Sequence, residues 1–275
     1  MPELAEVETI RRDVEAEYAG RRITRVTATG PRSVRRHPDP AQFEARIQGR
    51  VLTGTARWGK YLVLDLDNGD AVVAHMGMSG QLLRTGADEP VQKHTHVRLQ
   101  FDTGPDLRFV DPRTFGQMWV TTPAGGRIPE LSHLGFDPLA DPDAEARLRK
   151  VLARPTRLKP LLMDQSRVAG IGNMYADEIL HAARLRPDRA AASLSAPETG
   201  RLYRSMVAVL DDAVRHRGSS LADEQYRDLF GRIGRYQEHH RVYAREGAPC
   251  LRCGTAITRV KANGRSSFFC PGCQI

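Results

Sequence analysis

The stretch KYLVLDLDNGDAVVAHM, residues 60–76, sets the architecture of the first half of the chain. Two short apolar runs, residues 60–66 and 71–76, lie on either side of the turn residues 67–70, DNGD. Asn-Gly between apolar runs is a strong hairpin signal, because both residues readily adopt positive φ. The stretch therefore predicts an antiparallel β-hairpin within a β-rich domain.

Further short strand-like segments surround this hairpin. They lie at residues 22–29, 96–101, 107–110 and 117–121, and a short helical pattern covers residues 40–48. Many short strands with few helices are typical of two packed antiparallel sheets. The first 122 residues are therefore predicted to form a β-sandwich domain.

The chain begins with an amphipathic pattern that predicts a helix ending near Gly20. Its apolar stripe consists of Leu4, Val7, Ile10, Val14 and Tyr18. If Met1 is removed, Pro2 carries a free secondary amine ahead of this helix, where the helix dipole disfavours the ammonium form. A neutral amine is a nucleophile, so Pro2 could attack a sugar C1′, with Glu3 as the nearest proton donor or base. The alternative is an ordinary N-terminal proline without a catalytic role.

Composition narrows the class of partner. The chain has 275 residues, a formal charge of +8 and 40% hydrophobic residues. A basic balance favours a polyanion such as nucleic acid over a membrane surface. The sequence has no apolar run of membrane-spanning length and no signal-peptide pattern, so we expect a cytoplasmic protein that does not bind membranes.

The second half changes to a helical pattern. A segment rich in Pro and Gly, residues 123–143, predicts a linker, and residues 144–240 predict a helical domain. The expected helices lie at residues 145–152, 159–163, 174–183, 197–216 and 221–230.

The last segment, residues 241–275, contains all four cysteines, arranged as Cys250-x2-Cys253 and Cys270-x2-Cys273. Two such knuckles, 16 residues apart, suit tetrahedral Zn²⁺ bound by four thiolates, and a site with four protein ligands is structural. The turn residues Ala262-Asn263-Gly264-Arg265 predict a hairpin between the knuckles, with Lys261 and Arg265 at its tip. That tip is either a phosphate contact or a solubilising turn.

Three loops carry weaker signals. The stretch VAGIGN, residues 168–173, suits an anion site at a helix start that Asn173 can cap. The stretches DPRTFG, residues 111–116, and HMGMSG, residues 75–80, offer Arg113, Phe115 and Met78 as side chains that could fill an opened base step. Taken singly, each of these loops is equally compatible with ordinary packing. Lys60 is equally compatible with a solvated position at the end of a strand.

Together and in this order, these motifs resemble the bacterial formamidopyrimidine-DNA glycosylase family, which also includes endonuclease VIII. The resemblance covers nearly the whole chain. It implies an α+β multidomain fold: an N-terminal β-sandwich with an N-terminal helix, a helical helix–two-turn–helix domain and a zinc-finger hairpin. It also implies a monomer that holds one structural zinc ion and binds double-stranded DNA containing oxidised bases or AP sites.

The resemblance also implies roles for individual residues. Pro2 would form a Schiff base at C1′, Glu3 would donate and shuttle protons, Lys60 would support β-elimination, and Arg265 would bind phosphate during δ-elimination. The DNA-binding residues would be His94, Arg113, Lys159 and Asn173. Met78, Arg113 and Phe115 would fill the gap left by a flipped base. The implied reaction is removal of 8-oxoguanine and formamidopyrimidines, followed by β,δ-elimination.

The chain departs from the family pattern at several positions. Ala5 replaces a proline, Thr114 stands where many relatives have arginine, and Pro155 occupies a site that is often basic, which Arg154 or Arg157 could compensate. The largest departure is residues 218–236, where relatives have a loop that covers the flipped base. Lesion preference is therefore the least secure part of the resemblance.

Three alternatives stay open. An endonuclease VIII-like enzyme for oxidised pyrimidines would share the amine and the finger, although Leu4 and the Arg113 turn favour the purine class. A non-catalytic zinc-finger DNA-binding protein would have no need for Pro2, Glu3 and Lys60 together. A zinc-ribbon protein that binds RNA or the ribosome would have no use for the β-rich first half.

Overall fold

The computed structural model describes residues 1–221, 225–262 and 264–275, and the chain divides into two compact units. The first unit consists of Met1–Ser132 with His216–Arg235, and the second of His133–Arg215 with Tyr236–Ile275. The sequence had placed residues 216–235 in the helical domain. They group with the first unit because Tyr226 and Leu229 are buried in its hydrophobic core.

The first unit is a sandwich of two four-stranded antiparallel sheets with two helices. Its helices are α1 (Leu4–Tyr18) and α2 (Pro40–Ile47). Its strands are β1 (Ile23–Ala28), β2 (Leu52–Trp58), β3 (Tyr61–Leu66), β4 (Ala71–His75), β5 (Gln81–Thr85), β6 (Thr95–Phe101), β7 (Asp106–Val110) and β8 (Gln117–Thr121). One sheet has the order β1-β6-β7-β5 and the other β2-β3-β4-β8.

One hydrophobic core joins both sheets to the helices. Leu64 of β3 and Leu99 of β6, from different sheets, are both buried in it. Helix α1 contributes its apolar stripe, and Tyr18 at its end packs on Phe101 with ring centroids 4.6 Å apart. The Tyr18 hydroxyl donates to the Asp106 carbonyl at 2.9 Å, so this end of α1 is fixed by packing and by a hydrogen bond.

The second unit contains four helices and a two-stranded hairpin. The helices are α3 (Ala144–Leu152), α4 (Leu158–Met163), α5 (Asn173–Ala182) and α6 (Ala196–Arg215). The hairpin pairs β9 (Thr258–Ala262) with β10 (Arg265–Phe269). Leu162, Ile179 and Leu210, one from each of α4, α5 and α6, are fully buried. The predicted fold class is confirmed.

The structure differs from the sequence prediction in three respects. Strands β2 and β5 were not predicted, because the alternate positions of β2 (LTGTARW) include the weakly apolar Gly54 and Ala56, and the two leucines of β5 (QLLRT) are adjacent instead of alternating. The predicted helix at 221–230 is wrong for residues 225–230, which are irregular, and residues 222–224 lie outside the described part. In the predicted linker, Ile128, Leu131 and Phe136 are buried.

Of the helices that the structure describes, none is both long and apolar enough to cross a membrane.

Candidate active site and nucleic-acid interface

Pro2 and Glu3 lie immediately before α1, and both are buried. The Glu3 backbone N–H donates to Glu6 Oε2 at 2.9 Å, and the Ser219 N–H donates to Glu6 Oε1 at 2.8 Å. Glu6 therefore fixes the backbone of the N-terminal residues and of residue 219 with one buried carboxylate. Glu6 lies three residues after Glu3 at the N-cap, and a glutamate at this position is a capping signal that the sequence offers.

Lys60 lies in the two-residue turn between β2 and β3, since Trp58 pairs with Tyr61 across it. It is only 7% exposed. The Gly59 carbonyl accepts from Arg57 Nη1 at 3.1 Å, and Arg57 Nε donates to Glu8 Oε2 at 3.0 Å. This chain of contacts connects the Lys60 turn to α1, the helix that Pro2 and Glu3 precede.

His75 lies opposite this turn and was not assigned a role from the sequence. It pairs with Tyr61 across β3 and β4, and the two rings lie 4.6 Å apart. Burial, and then the charge of Lys60, lower the pKa of His75 to about 4, so its imidazole is neutral at pH 7. The signal that could have indicated it is its position at the start of HMGMSG, three residues before Met78.

Two turns whose backbones touch at Gly77 carry the exposed side chains of Met78 and Phe115. The two side chains are 44% and 46% exposed, unusually high for large apolar groups. Gly77, between them, has φ +61°, and a Cβ on it would lie 2.6 Å from the Gly116 nitrogen and the Phe115 carbonyl carbon. The backbones of the two turns are therefore in direct contact, which only glycine at position 77 permits.

Buried Asp111 organises the turn that carries Arg113 and Phe115. Its Oδ1 accepts from Ser79 Oγ at 2.6 Å and from the Arg113 N–H at 3.2 Å, and its Oδ2 accepts from the Gly116 N–H at 2.7 Å. The Arg113 guanidinium lies 4.9 Å from the Phe115 ring centroid. The structure thus brings the predicted trio Met78, Arg113 and Phe115 together. Sequence reasoning missed the role of Asp111, although it begins the DPRTFG motif.

His94 belongs to the same surface. Its side chain is exposed, and its carbonyl accepts from the Asp111 N–H at 3.0 Å. Its φ of 66° places it in the left-handed region, where non-glycine residues are uncommon and are enriched at functional sites.

In the second unit, α4 and α5 are connected by turns that the Gln165 side chain organises. Its Nε2 donates to the Met163 and Ile171 carbonyls at 2.9 and 2.7 Å, and its Oε1 accepts from the Gly170 N–H at 2.9 Å. Helix α5 begins at Asn173 itself, with Gly172 at the N-cap. The predicted capping role of Asn173 is therefore wrong. Instead, Asn173 Oδ1 is buried without a partner among the described residues, at a helix N-terminus suited to an anion.

Lys159 is buried and not exposed to solvent. Its Nζ lies 2.8 Å from Asp177 Oδ1 and donates to the Ser266 carbonyl at 2.8 Å, while Asp177 Oδ2 accepts from the Phe268 N–H at 2.9 Å. Burial raises the pKa of Asp177 against the opposing charge of Lys159. The pair connects helices α4 and α5 to the hairpin.

The neighbouring carboxylate, Glu178, fixes the start of the finger segment. It is 1% exposed and accepts from the backbone N–H groups of Arg241, Val242 and Tyr243 at 2.8–3.0 Å. Three amide donors satisfy its carboxylate, and burial raises its pKa.

The four cysteine sulfurs lie within 4.8 Å of one another, with Cys250–Cys273 at 3.8 Å and Cys253–Cys270 at 3.5 Å. A zinc tetrahedron with Zn–S bonds of about 2.3 Å has S–S edges of about 3.8 Å. The donor set therefore fits one structural Zn²⁺. His181 Nε2, at 3.6 Å from Cys250 Sγ, is an additional donor for thiolate charge.

The hairpin carries Lys261 and Arg265, both exposed; the predicted turn between them includes Asn263, which lies outside the described residues. A cavity of about 400 Å³ is lined by five basic residues and one acidic residue: Arg157, Lys159, Arg186, Lys261, Arg265 and Asp188. The excess of cations makes the cavity suited to phosphate.

Three family models match the chain. The formamidopyrimidine-DNA glycosylase N-terminal domain matches residues 1–118, the formamidopyrimidine-DNA glycosylase H2TH domain matches residues 134–225, and the zinc finger found in FPG and IleRS matches residues 247–275. Formamidopyrimidine-DNA glycosylases from Pelotomaculum thermopropionicum and Herpetosiphon aurantiacus are 41% and 42% identical to the chain; the matches cover 100% of the chain and 99% and 100% of those proteins.

Solved structures agree in fold. The MutM (Fpg) protein of Thermus thermophilus is 40% identical with a TM-score of 0.86, and the match covers 99% of this chain and 98% of that one. Lactococcus lactis Fpg in complex with DNA containing an abasic site is 30% identical with a TM-score of 0.87, and the match covers 99% of both chains.

Proposed function

The chain belongs to the formamidopyrimidine-DNA glycosylase family, and from that premise we propose that it removes oxidised purines from double-stranded DNA through a covalent bond to Pro2. It is a DNA glycosylase of base-excision repair. It acts on 8-oxoguanine and formamidopyrimidines and then cleaves the strand by β,δ-elimination. We place it in the cytoplasm, at the nucleoid.

The observation that most directly supports a covalent mechanism is the position of Pro2, buried immediately before α1 and followed by buried Glu3. After removal of Met1, the neutral amine donates its electron pair to C1′, and the base leaves with the electrons of the glycosidic bond. The proton that the nitrogen loses passes to the departing base. Glu3 protonates the ring oxygen as its bond to C1′ breaks, and the opened sugar is joined to Pro2 as an iminium.

The iminium makes the strand cleavage possible without a metal. It withdraws electrons from C2′, so a base can remove a C2′ proton while the 3′ phosphate leaves with the electrons of its bond. The unsaturated iminium that remains acidifies the C4′ proton, and removal of that proton expels the 5′ phosphate with the electrons of the C5′–O bond. In this scheme Lys60 assists the first elimination and Arg265 binds phosphate in the second.

DNA binding uses residues of both units. Met78, Arg113 and Phe115 are proposed to fill the space left by the flipped nucleotide, because two exposed apolar side chains and a guanidinium share one surface. His94 and Asn173 are proposed to contact the DNA backbone. Lys159 is proposed to support a phosphate site from within, since it binds Ser266 and lines the cavity beside Arg265.

The test is covalent trapping. Borohydride should reduce the iminium and join the protein to lesion-containing DNA. Pro2→Gly should reduce the trapped yield by about 100-fold or more, because it removes the secondary amine. Pro40→Gly, at the first turn of α2, is the matched proline control and should trap like the parent.

Equal trapping by Pro2→Gly, or by protein that retains Met1, would overturn the covalent role. The lesion is tested separately with duplexes that carry one lesion each against all four opposite bases. Preferential release of oxidised pyrimidines would instead identify an endonuclease VIII-like specificity.

A further inference from the structure

The last turn of α5 lies against the first cysteine knuckle of the finger, residues 250–253. His181 Nε2 lies 3.6 Å from Cys250 Sγ, and Arg252 Nη1 donates to the His181 carbonyl at 3.3 Å. His181 and Cys250 are each only 3% exposed. One residue of α5 therefore contacts the knuckle with both its side chain and its backbone, and both partners belong to the second unit.

The chemistry of bound zinc decides which atom of this contact donates. A cysteine binds Zn²⁺ as a thiolate, which has no proton to give. The Cys250 sulfur can then only accept, so the hydrogen bond requires a proton on His181 Nε2. The contact therefore runs in one direction, from α5 to a ligand atom of the metal.

The second ring nitrogen of His181 favours the same tautomer. His181 Nδ1 is buried and has no hydrogen-bond partner among the described residues. A proton on Nδ1 would leave a buried donor without an acceptor, and it would turn the lone pair of Nε2 towards the thiolate. A proton on Nε2 avoids both costs. In the described part of the chain, the Cys250 sulfur is thus the one hydrogen-bond partner of this ring.

The Cys250 thiolate needs a side-chain donor because it is buried. Four thiolates bring more negative charge than one Zn²⁺ neutralises, and a buried charge without hydrogen bonds is unfavourable. Cys253 is exposed to water, and the Thr255 hydroxyl lies 3.3 Å from its sulfur. Cys250 is shielded from water, and its donors are the Arg252 N–H at 3.5 Å and His181. The imidazole therefore matters more to Cys250 than the Thr255 hydroxyl does to Cys253.

Helix α5 is held on the finger by contacts that do not involve the imidazole. Asp177 Oδ2 accepts from the Phe268 N–H at 2.9 Å. Glu178 Oε1 accepts from the Val242 and Tyr243 N–H groups at 3.0 and 2.8 Å. These carboxylates bind the backbone of the finger, whereas His181 contacts a ligand atom. Loss of the imidazole should therefore leave α5 docked and change the thiolate alone.

We propose that His181 is a positioning residue of the zinc site: its Nε2–H donates to the Cys250 thiolate, holds that sulfur in the position of a ligand and slows the loss of zinc. The four sulfurs complete the coordination of the ion, so His181 is not a fifth ligand. This inference goes beyond the proposed function and does not depend on the removal of any base.

Three variants of the full-length protein test the donor. His181→Phe keeps a planar ring in the buried site and removes the N–H. His181→Gln carries an amide nitrogen at about the same reach as Nε2 and restores a donor. His133→Phe changes an exposed histidine of the same unit and is the control. Each zinc-loaded protein is mixed with an excess of a chromogenic chelator, and the rate of zinc release is followed by absorbance.

Zinc should leave His181→Phe about tenfold faster than the parent or faster still, because removal of a hydrogen-bond partner of a metal ligand weakens metal binding about 10- to 100-fold. Release from His181→Gln should stay within about threefold of the parent, and release from His133→Phe should not change. Equal release from His181→Phe and the parent would overturn the proposal. Release from His181→Gln as fast as from His181→Phe would also overturn it, since the shape of the ring would then matter and its N–H would not.

Cobalt gives a spectroscopic measure of the same hydrogen bond. Co²⁺ in place of Zn²⁺ has a charge-transfer band whose energy depends on the electron density at the thiolate sulfurs. A donor lowers that density, so the band should move to longer wavelength in His181→Phe and keep the parent's position in His181→Gln. A variant that is only less stable would bind less Co²⁺ without moving the band. An unmoved band in His181→Phe would therefore contradict the proposal.

A second pair of variants covers the case in which His181→Phe does not fold. The amide nitrogen of His181→Asn is too short to reach the sulfur, whereas that of His181→Gln is long enough. His181→Asn should therefore lose zinc about tenfold faster than His181→Gln. Equal release from these two variants would refute the role of the donor. All of these measurements are made without DNA, so failure of base excision would overturn the proposed function and leave this result unaffected.

Discussion

The Glu8 carboxylate interacts with three arginines. Arg11 and Arg12 donate to it at 2.8–3.0 Å, and Arg57 contacts it at 3.0 Å from β2. Burial raises its pKa, but the hydrogen bonds from Arg11 and Arg12 and the charge of Arg57 outweigh burial and lower it to about 2. Nothing local in the sequence indicates that Arg57 lies beside Glu8.

This lowered pKa predicts the acid sensitivity of the first unit. The ionised carboxylate stabilises the fold above its ordinary value of 4.5, and that contribution is lost as the pH falls towards 2. After allowance for partial exposure, it amounts to about 2 kcal/mol. Glu8→Gln should therefore lower the free energy of unfolding at pH 7, and the difference from the parent should shrink between pH 5 and pH 2.

Urea unfolding at a series of pH values measures this difference. The control is Glu17→Gln, on the same helix as Glu8, which removes the more exposed ion pair with Arg84. It should lower the free energy of unfolding by less than about 1 kcal/mol at every pH. A Glu8→Gln deficit that stays constant down to pH 2 would contradict the assignment.

At the scale of elements, two neighbouring turns form one surface. Strand β4 leads into Met78 and strand β7 leads into Phe115, and contact of the two backbones at Gly77 fixes the spacing between the side chains. The sequence indicates HMGMSG and DPRTFG as separate glycine-containing loops. Their contact depends on the pairing of strands that are distant in the chain, which no local pattern specifies.

Gly77→Ala should disrupt this surface. The added Cβ collides with backbone atoms at 2.6 Å and must also adopt a φ of +61°. We expect a loss of about 1–3 kcal/mol in the free energy of unfolding and at least about tenfold weaker binding to lesion DNA. Gly69→Ala is the matched control, because its φ is +83° but nothing lies within 4 Å of the new Cβ.

The comparison is made by urea unfolding and by fluorescence anisotropy with lesion DNA. The Gly69 variant should lose stability through backbone strain and keep its DNA affinity. If both variants lose affinity to the same extent, strain rather than the placement of Phe115 is responsible.

At the scale of the whole molecule, zinc and the β-sandwich belong to different compact units. The four cysteines lie in the second unit, where the core around the finger is small: Val242, Cys250, Ile257, Phe268 and Cys270. Such a core depends on its metal for stability. Both tryptophans, Trp58 and Trp119, lie in the first unit.

Chelation of zinc should therefore abolish DNA binding and leave the tryptophan emission unchanged. DNA binding is measured by anisotropy and the emission on the same sample, and added Zn²⁺ should restore binding. Unaltered DNA affinity after verified loss of zinc would refute the role of the finger, and a shift in tryptophan emission would contradict the independence of the first unit.

The sequence by itself determined the elements and the chemistry available. Apolar periodicity specified α1 and the strands of the hairpin at 60–76, and paired knuckles specified the zinc ligands, because these signals are local in the chain. It also indicated Pro2 and Glu3 as candidate reacting groups, since a terminal secondary amine and a carboxylate before a helix start can be read from the sequence.

Only the tertiary structure decided the partners of the charged residues. Lys159 lies on Asp177, Glu6 joins residues 3 and 219, and Arg217 joins Asp13 to Asp228. It also placed Tyr226 and Leu229 in the core of the first unit, within residues 225–230 that are irregular instead of helical. Ion pairs and burial are set by residues that are up to 213 positions apart, and such distant contacts leave no periodic trace in a single sequence.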